Sequence, residues 1–302
     1  MFFRNLTFFR FPASVDFSQI DTLLPEARLK PVDPLEMSSR GFISPFGRDE
    51  AEPLSHRIGN ALWLTVGGED KLLPGAVVND RLARKIADME EKEGRKPGGR
   101  LRKQMKDDLL HELLPAAFVR PSRTDTMLDL QRGFIAVDTP SRKSAENVVS
   151  QIRGVLGSFP ALPLNAQVNP RSVLTGWVKG EPMPEGLGLG EECELRDAID
   201  GGAVIKVANM ELQSDEIAKH LEMGMQVTRL ALNLDDHVTF VFGEDLVVRK
   251  LKFLDGALDQ LENTDTDGLR AELDARFALM SGEVARLFDV LETAFKLSKA
   301  EG

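Results

Sequence analysis

Short hydrophobic runs separated by turn residues fill much of the first half of the chain, and this pattern predicts β-strands. The predicted strands are Phe2–Phe11, which is rich in aromatic residues, Ala61–Val66, which Gly67 and Gly68 would close, Met127–Leu130, Gly133–Val137 and Val173–Val178. Ser141 is predicted to cap a helix that runs to about Leu156.

A helical period interrupts these strands after Asn79. Either Asn79 or Asp80 would cap a helix that ends at Gly94, and a second helix would stop at Pro115. Apolar residues recur at helical spacing in both segments, at Leu82, Ile86 and Met89 and then at Leu101, Met105, Leu109 and Leu113. The apolar stripe is narrow, so we expect a helical hairpin that projects from the body of the protein.

The second half of the chain begins with a stretch rich in Gly and Pro, residues 180–192, which predicts a linker. A short helix should follow it, and then a strand at Ala203–Val207 and a helix from Ser214 to about Glu222. An antiparallel meander of three strands and a long C-terminal helix complete the prediction, at Val227–Leu234, Val238–Phe242, Leu246–Phe253 and from about Asp267 to Phe295.

Together these elements predict an α+β fold, with antiparallel sheets, flanking helices and the projecting helical hairpin. We expect four parts in the chain. These are a central α+β domain (1–78 with 115–178), the hairpin tip (79–114), a second β-rich domain (179–265) and C-terminal helices packed on the body (266–302).

The charge of the chain is unevenly distributed. The 302 residues carry 48 acidic and 38 basic side chains, a net charge of −10, which argues against a protein that coats nucleic acid through bulk positive charge. Residues 80–106 nevertheless hold ten bases against five acids. The hairpin cluster, which we define as Arg95, Lys96, Arg100, Arg102, Lys103 and Lys106, would attract phosphates, although a solvated helix face explains the same pattern.

The predicted meander carries a second group of cations. Strict alternation along Leu246–Phe253 places Lys250 and Lys252 on one face, and puts Arg249 with Leu251 on the core face. On the first strand of the meander Arg229 opposes a row of leucines, and Lys206 could join the same surface. This face could bind phosphates, and a wet face that simply carries lysines is an equal alternative.

Candidate chemistry for catalysis is sparse. Cys193 is the single cysteine, which excludes an internal disulfide and fits a reducing compartment, and its acidic neighbours would disfavour the thiolate. The four histidines have no metal-binding spacing, and we expect no cofactor. No apolar run is long enough to span a bilayer, so we expect a cytoplasmic protein without a membrane partner.

Six segments resemble the bacterial recombination-associated protein RdgC family, in order and over the whole length. They are RNLTFFR at Arg4–Arg10, LLPAAF at Leu113–Phe118, LGSFPALPL at Leu156–Leu164, TGWV at Thr175–Val178, KLKF at Lys250–Phe253 and RFALMSGE at Arg276–Glu283. None of them is a catalytic motif, so the resemblance depends on their order and spacing.

The resemblance implies a nucleoid-associated protein that binds double-stranded DNA with little sequence preference, and binding of single-stranded DNA stays open. It implies a ring-shaped homodimer, closed by two self-complementary interfaces around a positively lined hole, that restrains the RecA recombinase by competing for DNA. Phe118 would lie at one dimer interface, and Arg120 and Arg123 lie near it in the sequence. With the hairpin cluster, Lys206, Arg229, Lys250 and Lys252, these two arginines form the predicted DNA-binding set.

Two alternatives stay open at this point. A metal-dependent nuclease or another DNA-processing enzyme would use acids such as Glu90 or Asp235 as ligands, whereas we expect no enzymatic activity. A protein-interaction scaffold would contact RecA directly and DNA only incidentally.

Overall fold

The computed structural model describes residues 2–47, 52–197, 202–262 and 268–299. The chain folds into two compact units. The first unit comprises Met1–Leu24, Ser44–Thr65 and Thr124–Gly302, and the second comprises Pro25–Ile43 and Val66–Arg123. The division into four parts expected from the sequence stays a prediction.

Twelve strands and eight α-helices lie in the described part of the chain. The strands are β1 Thr7–Arg10, β2 Ser38–Ile43, β3 Ser55–Ile58, β4 Ala61–Leu72, β5 Phe118–Asp129, β6 Phe134–Val137, β7 Leu162–Pro163, β8 Leu187–Asp197, β9 Val204–Ala208, β10 Met225–Leu234, β11 Val238–Gly243 and β12 Val248–Phe253. The helices are α1 Ile20–Leu23, α2 Gly75–Glu93, α3 Gly99–Leu113, α4 Arg142–Leu156, α5 Pro170–Val178, α6 Asp215–Glu222, α7 Asp255–Glu262 and α8 Leu269–Phe295. The predicted α+β class with antiparallel sheets is confirmed.

The strands form two sheets. One has the order β2-β4-β5-β6-β1-β7, with β3 paired to β4, and its long strands β4 and β5 each run from one compact unit into the other. The second sheet, β12-β11-β10-β8-β9, lies wholly in the first unit and is antiparallel throughout. Its β10–β12 portion confirms the predicted meander.

Helix α8 packs against both sheets within the first unit. Its Phe288 stacks on Phe134 of β6, with ring centroids 4.1 Å apart, and its Phe295 lies 4.9 Å from Phe242 of β11. Phe277 and Met280 of this helix are both buried. The predicted start at Asp267 lies outside the described residues.

Local end signals account for several of the helices. The Ser141 side chain accepts a hydrogen bond from the Ser144 amide and caps α4, as predicted. Gly94 ends α2 in the left-handed conformation, with φ of 70°, which glycine adopts without steric cost. Helix α2 begins at Gly75 rather than after Asn79, because Pro74 has a fixed φ that suits the start of a helix.

Three predictions about elements were wrong. Val173–Val178 belongs to α5, because Asn169 accepts a hydrogen bond from the Arg171 amide and Pro170 occupies the first turn. The predicted linker ends before Leu187, where β8 begins and continues to Asp197 in place of the short helix. Strand β4 continues through Gly67 and Gly68 as far as Leu72.

Close approaches between neighbouring strands explain why glycines occur inside these strands. A Cβ at Gly68 would lie 2.7 Å from the Ser122 hydroxyl oxygen, and a Cβ at Gly190 would lie 2.9 Å from the Ala231 Cβ. Glycine therefore marks a close contact at these positions rather than the end of a strand.

The helical hairpin belongs to the second unit. Val78 is the buried residue of α2 and Leu109 that of α3, and most of the other side chains are exposed. This agrees with the narrow apolar stripe in the sequence. Within the described residues, no helix is both long and apolar enough to cross a bilayer.

Candidate nucleic-acid interface

One face of the five-stranded sheet lies on the core, and the opposite face carries charge. On β8 Cys193 and Leu195 point into the core, so Glu192, Glu194 and Arg196 lie on the opposite face. Glu194 pairs across the sheet with Lys206 of β9 on one side and with Arg229 of β10 on the other. We call this charged surface the outer face.

A β-bulge in β12 adds three cations to the outer face. Arg249 pairs with Val241, and Lys252 pairs with Thr239. Two residues of β12 therefore lie between these pairs, opposite a single residue of β11. The extra residue is Lys250, which adopts the left-handed conformation with φ of 54°. Because residues directly opposite on antiparallel strands share a face, Arg249 and Lys252 both lie on the outer face.

This arrangement corrects one prediction. Strict alternation placed Arg249 on the core face with Val247, Leu251 and Phe253. In the structure Val248 and Leu251 are buried, and Arg249 instead forms an ion pair with Asp245. The bulge shifts the alternation of β12 by one residue, so Val248 lies on the core face and Arg249 on the outer face.

The outer face carries an excess of positive charge. Six cations, Arg196, Lys206, Arg229, Arg249, Lys250 and Lys252, lie with four carboxylates, those of Glu191, Glu192, Glu194 and Asp245. The face is therefore positive by two charges, in a chain whose net charge is −10. Such local segregation of charge creates a positive potential although the whole protein is acidic.

Glu194 is the centre of a cation cluster on this face. Its carboxylate accepts a hydrogen bond of 3.0 Å from Arg196 Nε, and it lies 3.6 Å from Arg229 Nη1 and 3.9 Å from Lys206 Nζ. Burial would raise the pKa of Glu194, but the hydrogen bond from Arg196 and the charges of Arg229 and Arg196 outweigh it and hold that pKa below its usual value. The carboxylate is therefore ionised at neutral pH.

The two lysines of β12 line a shallow groove on the same face. Lys250 Nζ donates to both carboxylate oxygens of Glu192, at 2.6 and 2.8 Å. Lys252 lines the groove with Asn233 and Thr239, and it makes no ion pair with any residue that the structure describes. The groove thus offers one neutralised and one available ammonium group, with neutral polar side chains between the strands.

The predicted hairpin cluster lies in the second unit, and its members differ in their partners. Lys96 lies 3.8 Å from Glu90, Arg95 lies 4.0 Å from Glu93, and Arg102 Nε donates to the Pro97 carbonyl oxygen. The other three members, Arg100, Lys103 and Lys106, are exposed on α3 and form no ion pair within the described ranges. They occupy the first half of α3, and Arg100 lies in its first turn, where the helix dipole adds to the positive potential.

Phe118, Arg120 and Arg123 lie together in the first half of β5, also in the second unit. Phe118 is 83% exposed, the highest fraction among the large apolar side chains that the structure describes. Both arginines are exposed as well. An aromatic ring presented to solvent in this way is typical of a surface that another molecule covers.

Sequence reasoning missed Arg196, Arg249 and the carboxylate of Glu194. Arg196 was hidden because β8 was interpreted as a linker and a short helix. The one signal available was the alternation of Cys193, Glu194, Leu195 and Arg196, which has the period of a half-buried strand.

The acids proposed for the nuclease alternative lie in different units. Glu90 is on α2 beside Lys96, whereas Asp235 forms an ion pair with Arg286 of α8. Across the described ranges, no group of three or more His, Cys, Asp or Glu side chains is arranged to hold a metal ion. Burial and the charge of Glu192 raise the pKa of the Cys193 thiol to about 11.

Comparisons with known proteins agree over the whole chain. Residues 1–298 match a family model described as "Putative exonuclease, RdgC". The chain is 73% identical to the recombination-associated protein RdgC of Xanthomonas axonopodis pv. citri and 72% identical to that of Xanthomonas oryzae pv. oryzae. It is 69% identical to the protein of the same name from Stenotrophomonas maltophilia, and each comparison covers 100% of both chains.

Proposed function

Since the chain belongs to the RdgC family, we propose that it is a non-enzymatic DNA-binding protein of recombination, which holds duplex DNA with little sequence preference. The single observation that carries this proposal is the outer face of the five-stranded sheet, where six cations collect in an acidic chain. Arginine and lysine side chains contact phosphate oxygens, which every base sequence presents alike, so such a face binds without reading bases.

The kinds of side chain on the outer face support sequence tolerance. The groove that Lys250 and Lys252 line is formed by residues of the five-stranded sheet, not by a helix that could enter the major groove. A positive sheet surface of this kind would contact the phosphate backbone. Single strands carry the same phosphates and are a further ligand on this proposal.

We place the second point of contact at the hairpin cluster. Arg100, Lys103 and Lys106 are exposed on α3, so their ammonium and guanidinium groups are available to phosphates. Arg120 and Arg123 are further exposed cations of the same unit. The acidic remainder of the protein would discourage DNA from wrapping around other surfaces, because screening confines each charge to about 8–10 Å at moderate salt.

We further propose that two copies form a homodimeric ring around the duplex, with Phe118 in one of the two interfaces. The exposed ring of Phe118 supports an apolar contact, and a two-fold interface would bring two such rings into one patch. A two-fold pair also presents the same cations on both sides of the hole. The RecA recombinase would be restrained because the ring occupies DNA that its filament needs, and the protein would reside in the nucleoid.

Salt dependence of binding tests the central proposal. Fluorescence anisotropy with labelled duplexes of several unrelated sequences should give similar affinities, and log affinity should fall with log salt by about 0.9 per phosphate neutralised. The triple variant Arg100→Ala, Arg102→Ala, Lys103→Ala should weaken binding to all duplexes alike. A flat salt dependence, or a strong preference for one sequence, would refute the proposal.

Retention on circular DNA tests the ring. A protein that encircles duplex should stay on covalently closed circles after a high-salt wash and leave when the circle is cut once. A protein that binds on one side only should leave circular and linear DNA at equal rates. The same samples, incubated with Mg²⁺ or Mn²⁺, test for cleavage, and degradation that follows the protein peak would establish the nuclease alternative instead.

Competition separates DNA occupancy from direct contact with RecA. If the protein acts by occupying DNA, added duplex should relieve its inhibition of RecA filament assembly. If it acts as a scaffold, a pull-down without DNA should recover RecA and added duplex should relieve nothing.

A further inference from the structure

A buried carboxylate lies at the centre of the cations on the outer face, where a phosphate-binding surface would be expected to exclude negative charge. The side chain of Glu194 is 7% exposed, whereas those of Arg196, Arg229 and Lys206 are 40%, 44% and 75% exposed. The acid is therefore buried among cations whose own side chains remain partly exposed to solvent.

Neighbouring hydrogen bonds hold the Glu194 carboxylate in place. The Thr228 hydroxyl, itself buried, lies 3.2 Å from both the Glu194 backbone oxygen and Glu194 Oε1. A bulge in β10 between Val227 and Arg229 puts Thr228 and Arg229 opposite Glu194 together. The Thr228 side chain thus contacts the acid independently of the three cations.

We propose that Glu194 is a positioning residue, whose carboxylate holds Arg196, Lys206 and Arg229 in place to receive the phosphates of DNA. This inference rests on the proposed function, because it assigns a role within the DNA-binding face. Three long cationic side chains lose much conformational freedom when they bind phosphate, and an acid that already restrains them reduces that loss. The carboxylate neutralises one of the three positive charges. The cluster keeps a net charge of two, and its remaining N–H donors can bind phosphate.

Bulk electrostatics and positioning predict opposite effects of one substitution on the affinity for DNA. Glu194→Gln removes a negative charge from a phosphate-binding face, so a model of charge alone predicts tighter binding to DNA. If the carboxylate positions the cations, the same variant should bind a duplex about five-fold more weakly, as expected for losing a partly buried ionic hydrogen bond. The magnitude of its salt slope should also fall by about one, because a cation leaves the contact.

Glu192 provides a matched control on the same strand and face. Among the described residues its carboxylate forms an ion pair with Lys250 alone, and it is more exposed than that of Glu194, so Glu192→Gln should raise DNA affinity by about two-fold. Thr228→Val provides a second variant that alters no charge at all. It should weaken binding by about two-fold if the orientation of the Glu194 carboxylate matters.

The experiment is a salt series of anisotropy titrations of the intact protein and the three variants with one labelled duplex, after circular dichroism has verified the fold of each. Weaker binding by Glu194→Gln and Thr228→Val, with no loss in Glu192→Gln, supports positioning. Tighter or unchanged binding by Glu194→Gln overturns it and leaves the proposed function standing. If Glu194→Gln does not fold, Thr228→Val decides, and wild-type affinity in that variant overturns the inference. Absence of salt-dependent binding by the unaltered protein would instead refute the proposed function.

Discussion

Glycine and alanine should rank in opposite orders of stability at positions 250 and 252, although each substitution removes the same charge from the same strand. Lys250 adopts the left-handed conformation at the β12 bulge, and Lys252 lies in a regular ladder position opposite Thr239. An L-residue in the left-handed region costs about 1–2 kcal/mol, and glycine avoids that cost while it loses about 0.5–1 kcal/mol more backbone entropy on folding than alanine.

The comparison of Gly with Ala at each position isolates this backbone effect. Lys250→Gly and Lys250→Ala both lose the ion pair to Glu192, so that pair cancels in their difference. Lys250→Gly should therefore be more stable than Lys250→Ala by about 0.5–1 kcal/mol. At position 252 the order should reverse, with Lys252→Ala more stable than Lys252→Gly by about 0.5–1 kcal/mol.

Urea unfolding followed by far-UV circular dichroism measures all four variants under one set of conditions. DNA binding supplies the internal check, because every variant loses one cation and each should lower the magnitude of the salt slope by about the same amount, at most about 0.9. If glycine is worse than alanine at both positions, Lys250 does not occupy a left-handed bulge. In that case no bulge at Lys250 would bring Arg249 to the outer face.

Three further outcomes can be measured. Phe118→Ser should weaken the proposed dimer by about 3–6 kcal/mol, because a two-fold interface buries the ring twice. Leu162→Ser, an exposed apolar control in the other unit, should not weaken it. Equal sedimentation of both variants would refute the interface. Cys193, with its pKa raised to about 11, should react with a disulfide reagent at pH 8 about 100-fold more slowly in the native protein than in urea, and equal rates would contradict its burial. Asn169→Ala removes the cap of α5 and should cost about 1 kcal/mol in urea unfolding, and an unchanged midpoint would show that the cap is not needed.

Elements with explicit end signals could be predicted from the sequence. Ser141 and Gly94 bound α4 and α2 through chemistry that is local to a few residues, so the pattern alone was sufficient. The meander was also predictable, because residues alternate between buried and half-buried from Arg229 to Leu234 of β10 and short turns separate its three strands.

Continuous burial concealed other elements. Every residue from Leu174 to Val178 is buried, so the segment has neither the period of a strand nor that of an amphipathic helix. Its helical state follows from Asn169 and Pro170, which lie before the apolar run. The glycines of β8 led to a wrong prediction for a different reason. Gly188 and Gly190 allow β8 to approach β10 closely, whereas the sequence predicted a linker at these residues.

The outer face could be predicted only in part, because bulges depend on the partner strand. Lys206, Arg229, Lys250 and Lys252 followed from period-two alternation and lie on one face as expected. Arg249 required the extra residue at Lys250, which shows itself only in the pairing of β12 with β11. The register of strand pairing also brings the acids beside these cations, since Glu192 and Glu194 come from β8, which is distant in sequence from β12.

On the proposed function, the acids on the outer face other than Glu194 limit how strongly that face holds DNA. If all six cations of one copy contacted phosphates, log affinity would fall with log salt by about 5, whereas the net charge of two corresponds to a slope of only about 2. If the protein occupies DNA without regard to sequence and also leaves it, a value nearer the lower limit suits that role, because six fully available cations would hold every duplex tightly. Glu192 and Asp245, which engage Lys250 and Arg249 in advance, would therefore favour reversible occupancy, and the measured slope reports how many of the six cations DNA contacts in place of these carboxylates.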